Sequence, residues 1–263
     1  MQTAKQKLKR AAPWLFLLLV LAGLAAVRGL AANYEIGYEI MNGDFQNYNP
    51  VRHLLAGQVP YRDFTVYLGA GELYSVGGLL LVLGNSFGRS MFATNFCTWF
   101  YFELLVLAVC LVVIGTARAA RAAALALCSV FFAYVQGANL PFAGQVNTLL
   151  SYAAANGNSA RMMRSAALTL AVLVILLGLH FWQQDTSRRL LAPAVLVPFA
   201  AGFFVPWSND MGGAAYISIA LGYGLYLIRL YRSSIGKIVV QTLRYIVTSV
   251  VGLGVSVLLI SWG

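Results

Sequence analysis

The sequence predicts an all-α fold: a polytopic membrane helix bundle of about seven transmembrane helices, with juxtamembrane interfacial helices in its first external loop. Three observations carry this. Residues of hydrophobic type make up 60% of the chain and charged ones 10%, with a mean hydropathy of +0.75. Soluble domains are about 45–50% apolar and about 25% charged. The apolar runs are long and continuous, unlike the alternating segments of an outer-membrane barrel. Basic clusters punctuate those runs so that, with seven spans, they fall on one face.

The first run, residues 11–32, follows Lys5-Gln-Lys-Leu-Lys-Arg10. This has the layout of a secretory leader, but about 20 apolar residues suffice to cross a bilayer, so 13–32 is read as an uncleaved first span. The remaining spans are 90–115, 122–135, 165–182, 190–205, 214–230 and 239–262. With them, Lys5 to Arg10, Arg118 and Arg121, Arg188 and Arg189, and Arg229, Arg232 and Lys237 share one face. The positive-inside rule makes that face cytoplasmic. The chain is then a single transmembrane domain, 1–263, with an external loop at 33–89 and the remaining spans at 90–262. Arg52, Arg62, Arg89, Arg161 and Arg164 lie on the opposite face, against the rule, which marks them for a partner such as phosphate.

Five of the eight acidic residues, Glu35, Glu39, Asp44, Asp63 and Glu72, fall in the 33–89 loop. Asn49-Pro50 reads as a helix start, with Asn as N-cap and Pro at the first helical position. Val51, Leu54 and Leu55 give that helix an apolar face, Arg52 and His53 point away from it, and Gly57 stops it. It is the kind of helix that lies on a membrane surface, with Asp44 just ahead of it. The run 73–83 is about 16 Å long as a helix, short of the hydrocarbon core of about 30 Å. It reads as a helix lying in or dipping into the interface, and 142–155 reads the same way.

The formal charge of +10 belongs to loop residues that set topology and meet anionic membrane lipids, so nucleic acid is not an expected partner. Cys97, Cys110 and Cys128 sit in apolar runs without metal-ligand spacing and imply no disulfide framework. Nucleophilic triads, a P-loop, a zinc signature and a dinucleotide fingerprint are all absent from the sequence.

Four constellations on the external face can carry chemistry. Asp44 and Asp63 can act as general base or hold a divalent cation; the alternative is a solvated loop with capping acids. Arg52, Arg62 and Arg89 offer planar forks for phosphate oxygens, or contact headgroups. Trp207, Asn209 and Asp210, in Pro206-Trp-Ser-Asn-Asp210, can meet a sugar or a metal, or form an interfacial belt and turn. His53 is a lone loop histidine.

Gly43-Asp44, Leu54-Leu-Ala-Gly57-Gln-Val-Pro-Tyr-Arg-Asp63-Phe, Gly69-Ala-Gly-Glu-Leu-Tyr74 and Leu83-Gly-Asn-Ser-Phe-Gly88 together resemble the start of the polytopic glycosyltransferases of the C superfamily. These are the polyprenyl-phosphate-sugar-dependent relatives of mannosyl- and arabinosyltransferases. The likeness covers roughly residues 13–120, and departs where Gly69-Ala-Gly71 stands for a common Gly-Pro. Members are usually longer, which marks this chain as a candidate N-terminal part of a longer protein. The resemblance places Asp44 at the family's catalytic acid position. It implies inverting transfer of a sugar from a polyprenyl-phosphate-linked donor to a hydroxyl of a glycan, lipid or protein acceptor, in glycan synthesis of a bacterial-type cell envelope. Asp63, Asp210, Arg52, Arg62, Arg89, His53, Trp207 and Asn209 are the expected substrate-binding residues. Asp44, Asp63 and Asp210 are the candidates for a divalent cation, Mg or Mn. The competing class is a lipid-linked-sugar flippase or transporter, or a non-catalytic assembly subunit, in which Arg28 and Arg244 line a polar pathway.

Overall fold

The computed structural model of the chain describes residues 4–34, 42–67, 69–115, 118–135, 195–209 and 211–262. Among them the structure is all-helical, without strands; a lone bridge pairs Pro60 with Phe64. In chain order the helices are α1 (Ala4–Tyr34), α2 (Asn42–Leu55), α3 (Ala70–Leu83), α4 (Phe87–Ile114), α5 (Ala119–Val135) and α6 (Val197–Phe203). A 3-10 turn (Val205–Trp207) follows, then α7 (Met211–Leu230) and α8 (Ile235–Ser261). Among the described residues, three segments are long and apolar enough to cross a membrane: Phe87–Leu111 in α4, and all of α7 and α8.

Most expected spans correspond to helices: 13–32 to α1, 90–115 to α4, 122–135 to α5, 214–230 to α7 and 239–262 to α8. The runs 142–155 and 165–182 lie outside the described residues. Of the expected span 190–205, residues 190–194 lie outside the described residues; its described part contains α6, which gives way at Phe204 to the 3-10 turn containing Pro206.

Helix α4 is the central post. α1 packs antiparallel to it, with Gly29 against Phe92 at one end and Leu17 and Leu21 against Leu107 and Cys110 towards the other. A Cβ on Gly29 would lie 2.8 Å from the Phe92 ring, so any larger residue would force that ring to shift. Tyr34 and Phe87, which bound the loop, therefore lie at the same end of the α1–α4 pair. α5 closes the other end, where Ala122 and Ala126 join the same apolar cluster.

Helices α2 and α3 make a hairpin against α4. The Ser75 hydroxyl pairs with the Tyr101 hydroxyl at 2.8 Å, and Leu79 meets Cys97, so α3 runs antiparallel along α4. Val51, fully buried, and Leu54 pack over Gly77. The apolar face of α2 is thus covered by α3 rather than left for a membrane surface. α2 also begins earlier than Asn49-Pro50 predicts. It starts at Asn42 and carries Pro50 inside it, forgoing one backbone hydrogen bond; packing on α3 offsets that loss. Asp44 consequently sits in the first turn of α2, not ahead of it. The stop at Gly57 is as read: φ is +83°, Gly57 N–H donates to Leu54 O and Gln58 N–H to His53 O, the bonding pattern of a Schellman cap.

The C-terminal helices associate through small residues, as membrane helices do when lipid is as apolar as any side chain. Gly202 lies on the Ser249 carbonyl and Gly252 on the Phe199 carbonyl, joining α6 to α8. α7 packs on α8 through Tyr216, whose hydroxyl pairs with Ser249 at 3.1 Å, and through Tyr223 and Tyr245.

Candidate functional site

The residues singled out by the sequence separate into two groups at opposite ends of α3. That helix has 14 residues, about 21 Å, and Arg52 and His53, neighbours on α2, link the two groups.

The first group is at the C-terminal end of α3. Asp44, Tyr48 and Arg52 are spaced four residues apart on α2, so their backbone positions form one stripe along the helix. The Asp44 side chain lies outside the described residues. Tyr48 donates its hydroxyl to Asn85 Oδ1 at 2.9 Å and sets its ring edge-on to Phe87. The Arg52 guanidinium lies over the Tyr48 ring, 5.8 Å from its centre. Arg89 is held nearby. Ser86 caps α4 by accepting from the Arg89 N–H at 3.3 Å, and the Arg89 guanidinium rests on Gly84, whose φ of +91° no side chain adopts easily. Arg52 and Arg89 are exposed and make no ion pair among the described residues. A carboxylate position, a tyrosine and two arginines thus gather where α1 ends and α4 begins.

The second group is at the N-terminal end of α3, and the structure uses most of its polar atoms internally. Arg62 donates from Nε to Asp63 Oδ1 and from Nη2 to Oδ2, both at 3.0 Å, and the Val59 N–H donates to Oδ2 at 2.8 Å. These bonds hold the Asp63 carboxyl down at about 2, the Arg62 side chain contributing most and the Val59 N–H next; Asp63 in turn raises the Arg62 guanidinium. Arg62 and Asp63, expected at substrate, pair with each other in the turn that Tyr61 enters at φ +64°.

His53, read as pointing away from the apolar face, turns under the same loop. It stacks on Phe64 with ring centres 5.2 Å apart, and its Nδ1 pairs with Gln58 Oε1. Asn209 donates from Nδ2 to the carbonyls of Val66 (2.9 Å) and Tyr67 (2.8 Å), while Tyr61 approaches its Oδ1 at 3.4 Å. The Trp207 indole N–H donates to the buried Ser256 hydroxyl at 3.0 Å, and its ring packs beside Phe203, Phe204 and Tyr74. Trp207 and Asn209, expected to meet sugar, therefore fasten the C-terminal helices to the α2–α3 hairpin. Tyr74 completes the fastening: it donates to the Ile260 carbonyl at 2.8 Å and accepts from the Trp262 indole at 3.1 Å.

Asp210 lies outside the described residues. Of the three cation candidates, Asp63 has both oxygens engaged by Arg62 and Val59. No group of three His, Cys, Asp or Glu side chains gathers among the described residues.

Sequence reasoning did not single out Tyr48 or Asn85, although the spacing of Tyr48 from Asp44 and Arg52 was readable on the chain. Comparison with protein-family models, curated proteins and solved structures gives no significant match to this chain.

Proposed function

We propose that the chain is a membrane glycosyltransferase that moves a sugar from a polyprenyl-phosphate donor to an acceptor hydroxyl on the extracytoplasmic side, with inversion. It works as a bundle of about seven spans with its N-terminus in the cytoplasm. The observation that carries this reading is the stripe of Asp44, Tyr48 and Arg52 beside Asn85 and Arg89. The side-by-side ends of α1 and α4 support the topology, since the 35–86 segment then leaves and returns on one face.

Each residue type suits its step. A lipid-linked donor keeps its tail in the bilayer and its phosphate at headgroup height. The acceptor oxygen attacks the anomeric carbon, the bond from that carbon to the phosphate oxygen breaks, and polyprenyl phosphate leaves. Arg52 and Arg89 stabilise the charge growing on that phosphate. A carboxylate is a weak base, so Asp44 orients the acceptor hydroxyl and takes its proton late. Asp63 and Arg62 keep a structural role in this scheme.

The test is transfer by the purified protein from a panel of polyprenyl-phosphate sugars. Asp44→Asn is expected to lower turnover by about 100-fold or more with folding intact, and Arg52→Gln with Arg89→Gln to slow release of the phosphate. Undiminished transfer by Asp44→Asn refutes the assignment. Movement of lipid-linked sugar across proteoliposomes without transfer replaces it with a transporter.

A further inference from the structure

Helices α7 and α8 meet in a basic turn that the proposed transfer site does not use. After Asp210 the chain has no acidic residue, yet it carries Arg229, Arg232, Lys237 and Arg244. All four are exposed. Three polar side chains, Lys237, Gln241 and Arg244, follow one another at spacings of four and three along α8 and so share a face. Lys237 is at the rim, its ammonium 5.9 Å from the centre of the Tyr231 ring.

Arg244 is the informative member. It lies nine residues into α8, about 14 Å from the helix start. α8 has 27 residues, about 40 Å, against a hydrocarbon core of about 30 Å. For an upright helix, even with the whole excess at this end, Arg244 sits about 4 Å inside the hydrocarbon. An exposed guanidinium at that depth requires an anion or a route back to the headgroups. The ladder above it leads to Arg232 at the surface, and every charge along it is positive.

We infer that the α7–α8 turn is a binding site for an anionic phospholipid. Its phosphate sits between Lys237 and Arg244, and Arg232 and Arg229 form the rim. The recognition is charge complementarity with phosphate oxygens, strongest for the guanidinium fork of Arg244. This site is independent of the proposed sugar transfer and lies on different helices.

The experiment is a lipid titration of the full chain in a neutral detergent, following melting temperature with phosphatidylglycerol and with phosphatidylcholine. Phosphatidylglycerol is expected to raise the melting temperature saturably and phosphatidylcholine to leave it unchanged. Arg232→Gln with Arg244→Gln should raise the half-saturating phosphatidylglycerol concentration by more than 10-fold, at roughly five-fold per cation near the surface. Arg118→Gln with Arg121→Gln removes the same charge from the exposed α4–α5 turn and should leave the concentration unchanged. Arg244→Lys, which keeps the charge but loses the fork, should bind more weakly than the wild type and more tightly than Arg244→Gln. Equal losses in the two double variants mean attraction to net charge alone and overturn the site. So does wild-type affinity in the Arg232/Arg244 variant.

Discussion

Gly69→Ala is expected to break the joint between the α2–α3 hairpin and the C-terminal helices. Gly69 has φ +109° and ψ +164°, a region only glycine occupies readily, and a side chain there costs of order 1–3 kcal/mol. The new Cβ would also stand 2.6 Å from the Ser208 Cα and the Trp207 carbonyl oxygen. Both are backbone atoms and cannot swing aside, so overpacking adds about 1–3 kcal/mol. The sum, about 2–6 kcal/mol, is a large share of a typical total of about 5–15. Movement of Ser208 would further strain the Asn209 bonds to Val66 and Tyr67. Gly78→Ala is the internal control. It sits inside α3, the helix that Gly69 precedes, with open space around its Cβ position, so alanine should stabilise by roughly 0.5–1 kcal/mol. The assay is survival of monodisperse protein after heating in detergent, read by size-exclusion chromatography. If Gly69→Ala melts with the wild type, or Gly78→Ala is equally damaging, the joint is not where the stability resides.

Two further outcomes follow from the same joint and its loop. Trp207→Phe strands the buried Ser256 hydroxyl and should cost about 1–3 kcal/mol, whereas adding Ser256→Ala should restore most of that; additive losses would refute the bond. The Asp63 carboxyl is lowered from an ordinary 3.8 to about 2, so its contribution is complete above pH 3.8 and is lost as pH falls through about 2. The stability difference between wild type and Asp63→Asn should therefore be constant near neutrality and vanish in strong acid. A difference that instead grows on acidification would reverse the sign of the argument.

The helical nature of the chain, the course of α1, α4, α5, α7 and α8 and the Gly57 stop were legible in the sequence because each depends on local composition, length or backbone freedom. Asp44, Tyr48 and Arg52 were likewise aligned by helical spacing, once the helix containing them was known to start at Asn42. That start was not legible, because Pro50 argues locally for a later one and only the cover of α3 over Val51 and Leu54 outweighs it. The fates of Asp63, Trp207 and Asn209 were also decided by tertiary structure. The carbonyls that Asn209 binds lie 142 and 143 residues earlier in the chain, and the Trp207 partner lies 49 residues later. A polar side chain at a span end looks the same in sequence whether it awaits a substrate or a distant backbone. Composition determined that this protein is helical and built for a membrane. Packing decided which of its scarce polar groups hold it together and which remain at the surface.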